Sequence, residues 1–448
     1  MHIIDNKNDL SVFLDFLNSN EYIIIPILLD KNKHISINKL CLLYICDLSG
    51  NDAILSYDHV ELDSIESSHQ SLLDKLKDKI IFVLNNKSII FLPTIKNIYS
   101  IELLEYIRYG EIKTNFNIET SAHKVIYNNF SEIENINKCI PIVKYIEYFN
   151  NTKDKIIDVI NLNRHLLTEE SYINYNNIVF NSFLSLESSG IHVSSNFKHR
   201  QIVYNDLIYP NYNLYTKTGR PSCSSGVVNL LAINKHDGSR EFYDSRFGNN
   251  GVILLMDYKS RHLYLIAEIL RETFEENPHT YFGKIYTGKD ILTEEEYNES
   301  KKITYQLLYG NIPDEFEVIP FFNKVKIFMN ELHDAYNSDG FVITPLYKRK
   351  LYKSTLGDLK KQTLFNYYLQ AMETEYGVDT MKNIISVLKQ YETKCILYVY
   401  DSFLFDFNIS DDKELLDKLN KIVSNDNKFP VKIEYGKNYN NLNQVFMD

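Results

Sequence analysis

Two short apolar runs in the C-terminal half each end in an aspartate: residues 252–256 run into Asp257, and residues 394–400 run into Asp401. Runs of this length read as buried strands. Helical spacing follows the first, over residues 263–270, and strand character resumes after the second, over residues 403–407. Two carboxylates presented from adjacent strands can hold a pair of Mg²⁺ ions, which take oxygen ligands and complete their shells with water and substrate phosphates. Two such ions about 4 Å apart clamp the attacking and leaving oxygens of an in-line phosphoryl displacement. Taken alone, an aspartate at a strand end is more commonly a turn or cap residue.

A helix is predicted between them over residues 294–309. It opens with Thr293 as its cap and with Glu294, Glu295 and Glu296 in the first turn, where carboxylates favour the helix dipole. Lys301, Tyr305 and Tyr309 recur every four residues and share one face. A cation followed by two aromatic rings suits a nucleoside triphosphate, the ammonium meeting phosphate and the rings stacking near base and sugar. The plainer alternative is an amphipathic helix with core tyrosines and a solvated lysine.

The chain has 448 residues, 44% hydrophobic and 24% charged, enough for two to four domains and unlike a disordered segment. No apolar run approaches the roughly 18 residues of a membrane span. The opening MHIIDNKNDL lacks a basic stretch before an apolar core. No signal peptide and no membrane partner are expected, and the expected location is cytoplasmic (host cytoplasm for a viral source). Cys41, Cys46, Cys139, Cys223 and Cys395 form no C-x-x-C pair, which argues against a zinc knuckle or disulfide framework and fits a reducing compartment. The net charge of −11 weighs against a nucleic-acid partner. Local distribution decides otherwise: residues 344–362 hold Lys348, Arg349, Lys350, Lys353, Lys360 and Lys361 against one acid, Asp358.

Residues 1–135 alternate strand candidates (22–29, 40–45, 80–84, 88–92) with helical patterns (10–17, 71–76), as in a small α/β domain. Residues 152–188 lack Gly and Pro and read as helical until Ser189-Gly190. Residues 209–234 are rich in turn residues and read as a loop or irregular hairpin.

The order of motifs carries a resemblance. Asp257-Tyr258-Lys259-Ser260 with Leu263 and Ala267 resembles motif A of the family A (polymerase I-like) DNA polymerases. Lys301-x3-Tyr305-x3-Tyr309-Gly310 resembles their motif B, and Tyr400-Asp401-Ser402 stands where motif C has His-Asp-Glu. Thr216-x-Thr218-Gly219-Arg220 with Ser222 and Asn229-Leu230 is similar to their T-x-T-G-R-x-S…N-L segment. Pro278-His279-Thr280, then Gly340-Phe341-Val342-x-Thr344 with Arg349, and Asn366-x3-Gln370 follow in the family's order.

The resemblance implies an α+β and α/β multidomain chain: a polymerase right hand with palm, fingers and much reduced thumb, preceded by a ribonuclease H-like, exonuclease-type α/β domain. The expected segments are 1–140 (exonuclease-like, inactive), 141–205 (helical connector and vestigial thumb), 206–270 (palm, first part), 271–340 (fingers) and 341–448 (palm, second part). It implies a template-directed DNA polymerase without proofreading that uses two Mg²⁺ ions, with Mn²⁺ as a substitute. Asp257, Asp401 and the carbonyl of Tyr258 would hold metal. Lys301 would hold the triphosphate and protonate the leaving pyrophosphate, with Tyr305, Tyr309, His262, Tyr258 and His279 around the nucleotide. Thr218, Arg220, Asn229, Arg349, Asn366, Gln370 and Tyr400 would meet the primer-template DNA, Asn366 and Gln370 on its minor-groove side, where every base pair offers acceptors.

The sequence also departs from the family. His262 replaces the motif A glutamate that helps exclude a ribose 2′-hydroxyl, Tyr297 replaces the motif B arginine, and Ser402 replaces the motif C glutamate. The run 22–29 contains no carboxylate, although exonuclease chemistry needs a D-x-E pair there. Only about 25 residues separate Val193 from Thr218, too few for long thumb helices, so a processivity or replisome partner is expected to supply grip on DNA. The compact layout suits a phage-like replicon. Two other readings stay open: a single-subunit RNA polymerase-like enzyme, whose motif C reads His-Asp-Ser, and a non-catalytic DNA-binding accessory protein.

Overall fold

The structure, a computed structural model, describes residues 1–30, 32–114, 116, 129 and 134–445. The chain divides into two units, Met1–Leu184 and Ser185–Asp448. That division falls within the segment 141–205 read above as a connector.

The first unit runs β1 (His2–Ile4), α1 (Lys7–Phe16), β2 (Glu21–Leu28), β3 (Leu40–Asp47), β4 (Asp52–Ser56), α2 (His69–Leu76), β5 (Ile80–Val83), β6 (Asn97–Ser100), α3 (Ile101–Tyr109), α4 (Ile142–Asn163) and α5 (Glu170–Asn174). Its sheet has the order β1-β4-β3-β2-β5-β6. β2, β3 and β4 form an antiparallel meander, while β5 and β6 run parallel to β2. Both faces are covered. Ile23, Ile25 and Ile27 join Tyr145, Phe149 and Ile156 of α4 in one core, while Ile24, Leu43 and Ile45 join Leu10 of α1 and Leu72 and Leu76 of α2 in the other. A strand buried on two faces cannot alternate apolar with polar, which is why residues 22–29 read as one continuous apolar run.

Two expectations need correction in this unit. Residues 88–92 are not a strand but belong to a 3₁₀ turn, Asn86–Phe91, opened by the Asn85 side chain accepting from the Lys87 N–H at 2.9 Å. The helical stretch starts earlier than residue 152, at Ile142, and breaks after Asn163 into a 3₁₀ turn (Arg164–Thr168), α5, a π-turn (Tyr175–Val179) and α6 (Phe180–Ser189). Propensity alone carries no signal for such a break when Gly and Pro are absent.

The second unit begins with two short hairpins, β7 (Ile191–His192) with β8 (Leu207–Ile208) and β9 (Asn211–Asn213) with β10 (Ser222–Ser224). Between residues 193 and 218 the described structure contains strands, turns and a 3₁₀ turn but no α-helix. Then follow β11 (Gly251–Tyr258), α7 (Arg261–Leu270), α8 (Pro278–Thr287), α9 (Glu294–Tyr309), α10 (Pro320–Asp339), β12 (Phe341–Ile343), β13 (Lys350–Tyr352), α11 (Lys353–Leu356), α12 (Lys361–Leu388), β14 (Lys394–Val399), β15 (Ser402–Asn408), α13 (Asp412–Val423), β16 (Val431–Gly436) and β17 (Asn443–Val445).

The five-stranded antiparallel sheet of this unit has the order β14-β15-β11-β16-β17, which makes the first aspartate strand its centre. Its side chains Ile253, Leu254 and Met256 are buried, as are Leu364, Leu369, Met372 and Met381 along α12. α12 packs against α7, α9 and α10, and α8 packs against α9. The predicted start of α9 is a full capping box: Thr293 Oγ1 accepts from the Glu296 N–H (3.2 Å), and Glu296 Oε2 accepts from the Thr293 N–H (2.9 Å).

Candidate nucleotide and nucleic-acid site

Asp257 lies inside β11, opposite Ser402 of β15 and Lys432 of β16. The Tyr258 N–H donates to the Asp401 carbonyl at 2.9 Å, which fixes the β14–β15 turn beside the end of β11. The turn depends on a left-handed residue, Tyr400 at φ 56°, and the turn from β11 into α7 on another, Ser260 at φ 56°. Non-glycine residues seldom adopt that conformation, so the turn that carries Asp401 and the turn that leads out of β11 both hold backbone that a relaxed chain would avoid.

Burial, then the nearby charges of Asp401 and Glu434, push the Asp257 carboxyl up to about 7, against the pull of Lys432 and Lys235. Asp401 is also raised, by burial and then by Glu373, with Arg220 and His262 opposing. Such a pair gains from a bound cation. The donors are oxygens, and among the described residues no group of three or more His, Cys, Asp or Glu converges to make a closed metal cage. Two carboxylates with the remaining positions left to water and phosphate is the ligand habit of Mg²⁺, so the residues present fit that ion. Ser402 adds no third carboxylate; its hydroxyl donates to the Val399 carbonyl at 3.2 Å.

Facing this pair, α9 presents the stripe read from its sequence. The rings of Tyr305 and Tyr309 are stacked, with centroids 5.8 Å apart and planes within 16°. Lys301 is exposed and has no ion pair among the described residues, whereas its neighbour Lys302 pairs with Glu299 at 3.3 Å. His279 of α8 stands edge-on to Tyr305, with centroids 5.2 Å apart. Burial, then the charge of Lys301, pull His279 down to about 4, so it is neutral at physiological pH. Neither of its buried ring nitrogens has a hydrogen-bond partner among the described residues. Tyr297, at the missing arginine position, lies edge-on to His279 at 6.2 Å.

A charged cluster forms the third wall. His262 Nδ1 lies 2.5 Å from the Tyr309 hydroxyl, and its Nε2 lies 3.1 Å from Glu373 Oε1. Arg220 Nη2 lies 3.0 Å from Glu373 Oε2, and the guanidinium rests 3.9 Å over the Tyr400 ring. Burial alone would raise Glu373, but His262, Arg220 and Arg261 together hold it below the usual carboxylate range. Further along the same face of α12, Gln370 Nε2 donates to Asn366 Oδ1 at 3.3 Å.

These groups line one cleft of about 800 Å³. It gathers Asp257, Tyr258, His262, His279, Lys301, Tyr305, Tyr309, Asp401, Arg220, Asn366 and Gln370 from the expected set. The remaining four stand outside its lining. Thr218 Oγ1 accepts from the Arg220 N–H (3.3 Å) and shapes the loop. Tyr400 carries the Arg220 guanidinium. Asn229 is exposed, and its side chain caps the following turn by accepting from the Leu231 N–H at 3.1 Å.

Arg349 needs correction as a direct DNA contact. It is 2% exposed, and its Nη2 donates to the carbonyls of Thr216 (3.1 Å) and Lys217 (2.8 Å). It therefore anchors the segment that carries Arg220.

The sequence reading missed Glu373, Arg261, Asn277 and Lys432, all on the cleft wall. Glu373 had a usable signal, since it follows Asn366 by seven residues and Gln370 by three and so falls on their helix face. Lys432 had none, because only strand pairing brings it opposite Asp257.

No protein-family model matches the chain, and no curated protein matches it in sequence. Its structure is similar to that of the POL domain of Pol1 from M. smegmatis, solved in complex with DNA primer-template and dNTP. The TM-score is 0.74 at 13% sequence identity, over 98% of this chain and 99% of that one. The likeness is one of fold: this chain is folded as that polymerase domain is.

Proposed function

We propose that the chain is a template-directed DNA polymerase that extends a primer 3′ end with deoxynucleotides. The observation that carries this reading is a single cleft that sets two raised carboxylates, Asp257 and Asp401, against a lysine without an ion pair among the described residues and two stacked tyrosines. The solved structure of the same fold holds primer-template and dNTP, which supports the same partners here.

Asp257 and Asp401, with the carbonyl of Tyr258, would hold divalent ions, whose chemistry is to neutralise charge on the reacting phosphate and its attacking and leaving oxygens. The chain's own groups do the rest. Lys301 meets the triphosphate as a free ammonium. The neutral, buried His279 stands edge-on behind Tyr305 and keeps a second positive charge away from Lys301. Tyr305 and Tyr309 offer a stacked face to the base and sugar. Asn366 and Gln370 offer donors to the minor-groove edge of the primer-template, where a contact tests pairing geometry without reading sequence. Phosphoryl transfer needs little more than such positioning and charge stabilisation.

We read the segment 1–140 as an exonuclease-type domain without its chemistry, because the acids on its described strands are otherwise committed. Glu21, the one acid of β2, makes a bidentate pair with Arg164 at 2.6 and 2.8 Å. Asp52 pairs with Lys153 at 3.1 Å, and Asp47 caps its own turn through Ser49 and Asn51. With no α-helix described between residues 193 and 218, the thumb is reduced in this reading, and the enzyme should release DNA often.

The test is primer extension with Mg²⁺ on a short primer-template, with dNTPs and rNTPs in parallel. Extension with dNTPs, lost in Asp257→Ala and Asp401→Ala, is expected. Preference for rNTPs would make the chain an RNA polymerase-like enzyme, and DNA binding without incorporation would make it an accessory protein.

A further inference from the structure

Glu373 has a place in the cleft that neither the motifs nor the two-carboxylate chemistry requires. Its side chain is 3% exposed, a depth at which an isolated carboxylate is costly. It is held ionised by His262 on one oxygen and Arg220 on the other, at 3.1 and 3.0 Å. Each of these partners has a second attachment. His262 reaches the Tyr309 hydroxyl, whose ring stacks on Tyr305. Arg220 lies over the ring of Tyr400, the residue before Asp401. One buried carboxylate therefore ties the aromatic face that meets a nucleotide to the arginine beside the second aspartate.

We infer that Glu373 is a specificity-determining positioning residue: it couples Arg220, on the primer side, to the His262–Tyr309 pair, on the sugar side of the incoming nucleotide. The inference rests on the polymerase reading above. Its physical basis is that His262 and Arg220 each take one oxygen of a rigid carboxylate. A shift of either partner moves the carboxylate that holds the other. A correctly seated primer end then helps hold Tyr309 where it excludes a wrongly shaped sugar. If the cluster merely balances charge in the core, Glu373 affects stability alone.

The experiment is a double-mutant cycle of Arg220→Ala and His262→Ala, run with Glu373 intact and again with Glu373→Gln. Single-nucleotide insertion supplies kcat and KM for matched dNTP and for rNTP. With Glu373 intact, the two substitutions should be non-additive in kcat/KM by roughly tenfold, the size expected for residues sharing a charged partner. With Glu373→Gln they should become additive. Glu373→Gln alone should raise KM for dNTP and cut the dNTP/rNTP preference by about tenfold, and Glu373→Asp should recover part of both. Additivity with Glu373 intact, or a Glu373→Gln enzyme that loses stability while KM, kcat and sugar preference stay put, would overturn the inference. Urea unfolding of the same proteins keeps the question separate from the activity. Sub-additive midpoint shifts support the coupling even if wild type inserts nothing, a result that would count against the polymerase reading alone. Additive shifts overturn the coupling.

Discussion

The Tyr258 N–H donates to the Asp401 carbonyl at 2.9 Å, so the two aspartates of the cleft are held together by backbone rather than by their own side chains. Two repelling carboxylates cannot bring themselves together. The ladder between β11 and β15, seven register pairs long from Gly251 to Asp257, supplies the force that does. Replacing either aspartate should therefore leave the fold intact. Asp257→Ala and Asp401→Ala are each expected to lower primer extension by roughly a thousandfold or more, with circular dichroism and urea midpoint at least as favourable as wild type.

The raised carboxyl of Asp257 gives a pH test in the absence of metal. An unfolded aspartate titrates near 3.9, and the folded one near 7. Between those values the folded protein keeps a proton that the unfolded chain has released, so stability falls as pH rises from about 4 to about 7 and is level above. Asp257→Asn should flatten that slope in urea titrations at stepped pH. At pH 8, Mg²⁺ should raise the melting temperature of wild type. A hundredfold excess over its dissociation constant corresponds to about 2.7 kcal/mol. The gain should be small at pH 5 and absent in Asp257→Asn.

Lys301 has no ion pair among the described residues, so its loss should cost nothing in stability. A charged hydrogen bond contributes about 1.5–3 kcal/mol. Lys301→Ala should raise the KM for dNTP roughly ten- to a hundredfold, with primer-template affinity unchanged in a fluorescence anisotropy titration.

Arg349 separates a structural cation from a DNA contact. Truncating it to Met leaves the carbonyls of Thr216 and Lys217 without their donor, at a cost of about 3 kcal/mol in urea unfolding. A phosphate contact would contribute about 0.9 to the slope of log K against log salt. That slope should be unchanged in Arg349→Met.

Gly377 sits in the interior of α12, where Ala would ordinarily gain about 1 kcal/mol. A Cβ here would press into the phenol of Tyr398, which is wholly buried. Overpacking of a fixed ring costs about 1–3 kcal/mol, so Gly377→Ala should lower the melting temperature despite its better propensity.

Features decided by neighbours in the chain are legible in the amino-acid order itself. The capping box at Thr293, the face shared by Lys301, Tyr305 and Tyr309, and the apolar runs into Asp257 and Asp401 follow from spacing and side-chain chemistry within a few residues. The 3₁₀ turn at Asn86–Phe91 is not legible in that way, since an apolar pair flanked by polar residues fits strand and turn equally well. The strands β1, β4 and β6, three to five residues each, are too short to show a period.

Sequence by itself determined which residues could do chemistry and on which local elements they ride, because 3.6- and 2-residue periods and caps are short-range physics. Tertiary structure alone decided which of them meet. The register of β11 against β15 places Asp401 beside Asp257. The packing of α12 delivers Glu373 between Arg220 and His262, and the burial of Arg349 turns a nominal DNA contact into an anchor. These outcomes depend on contacts between residues more than a hundred positions apart, or on which face of a helix is covered, and no local pattern encodes either.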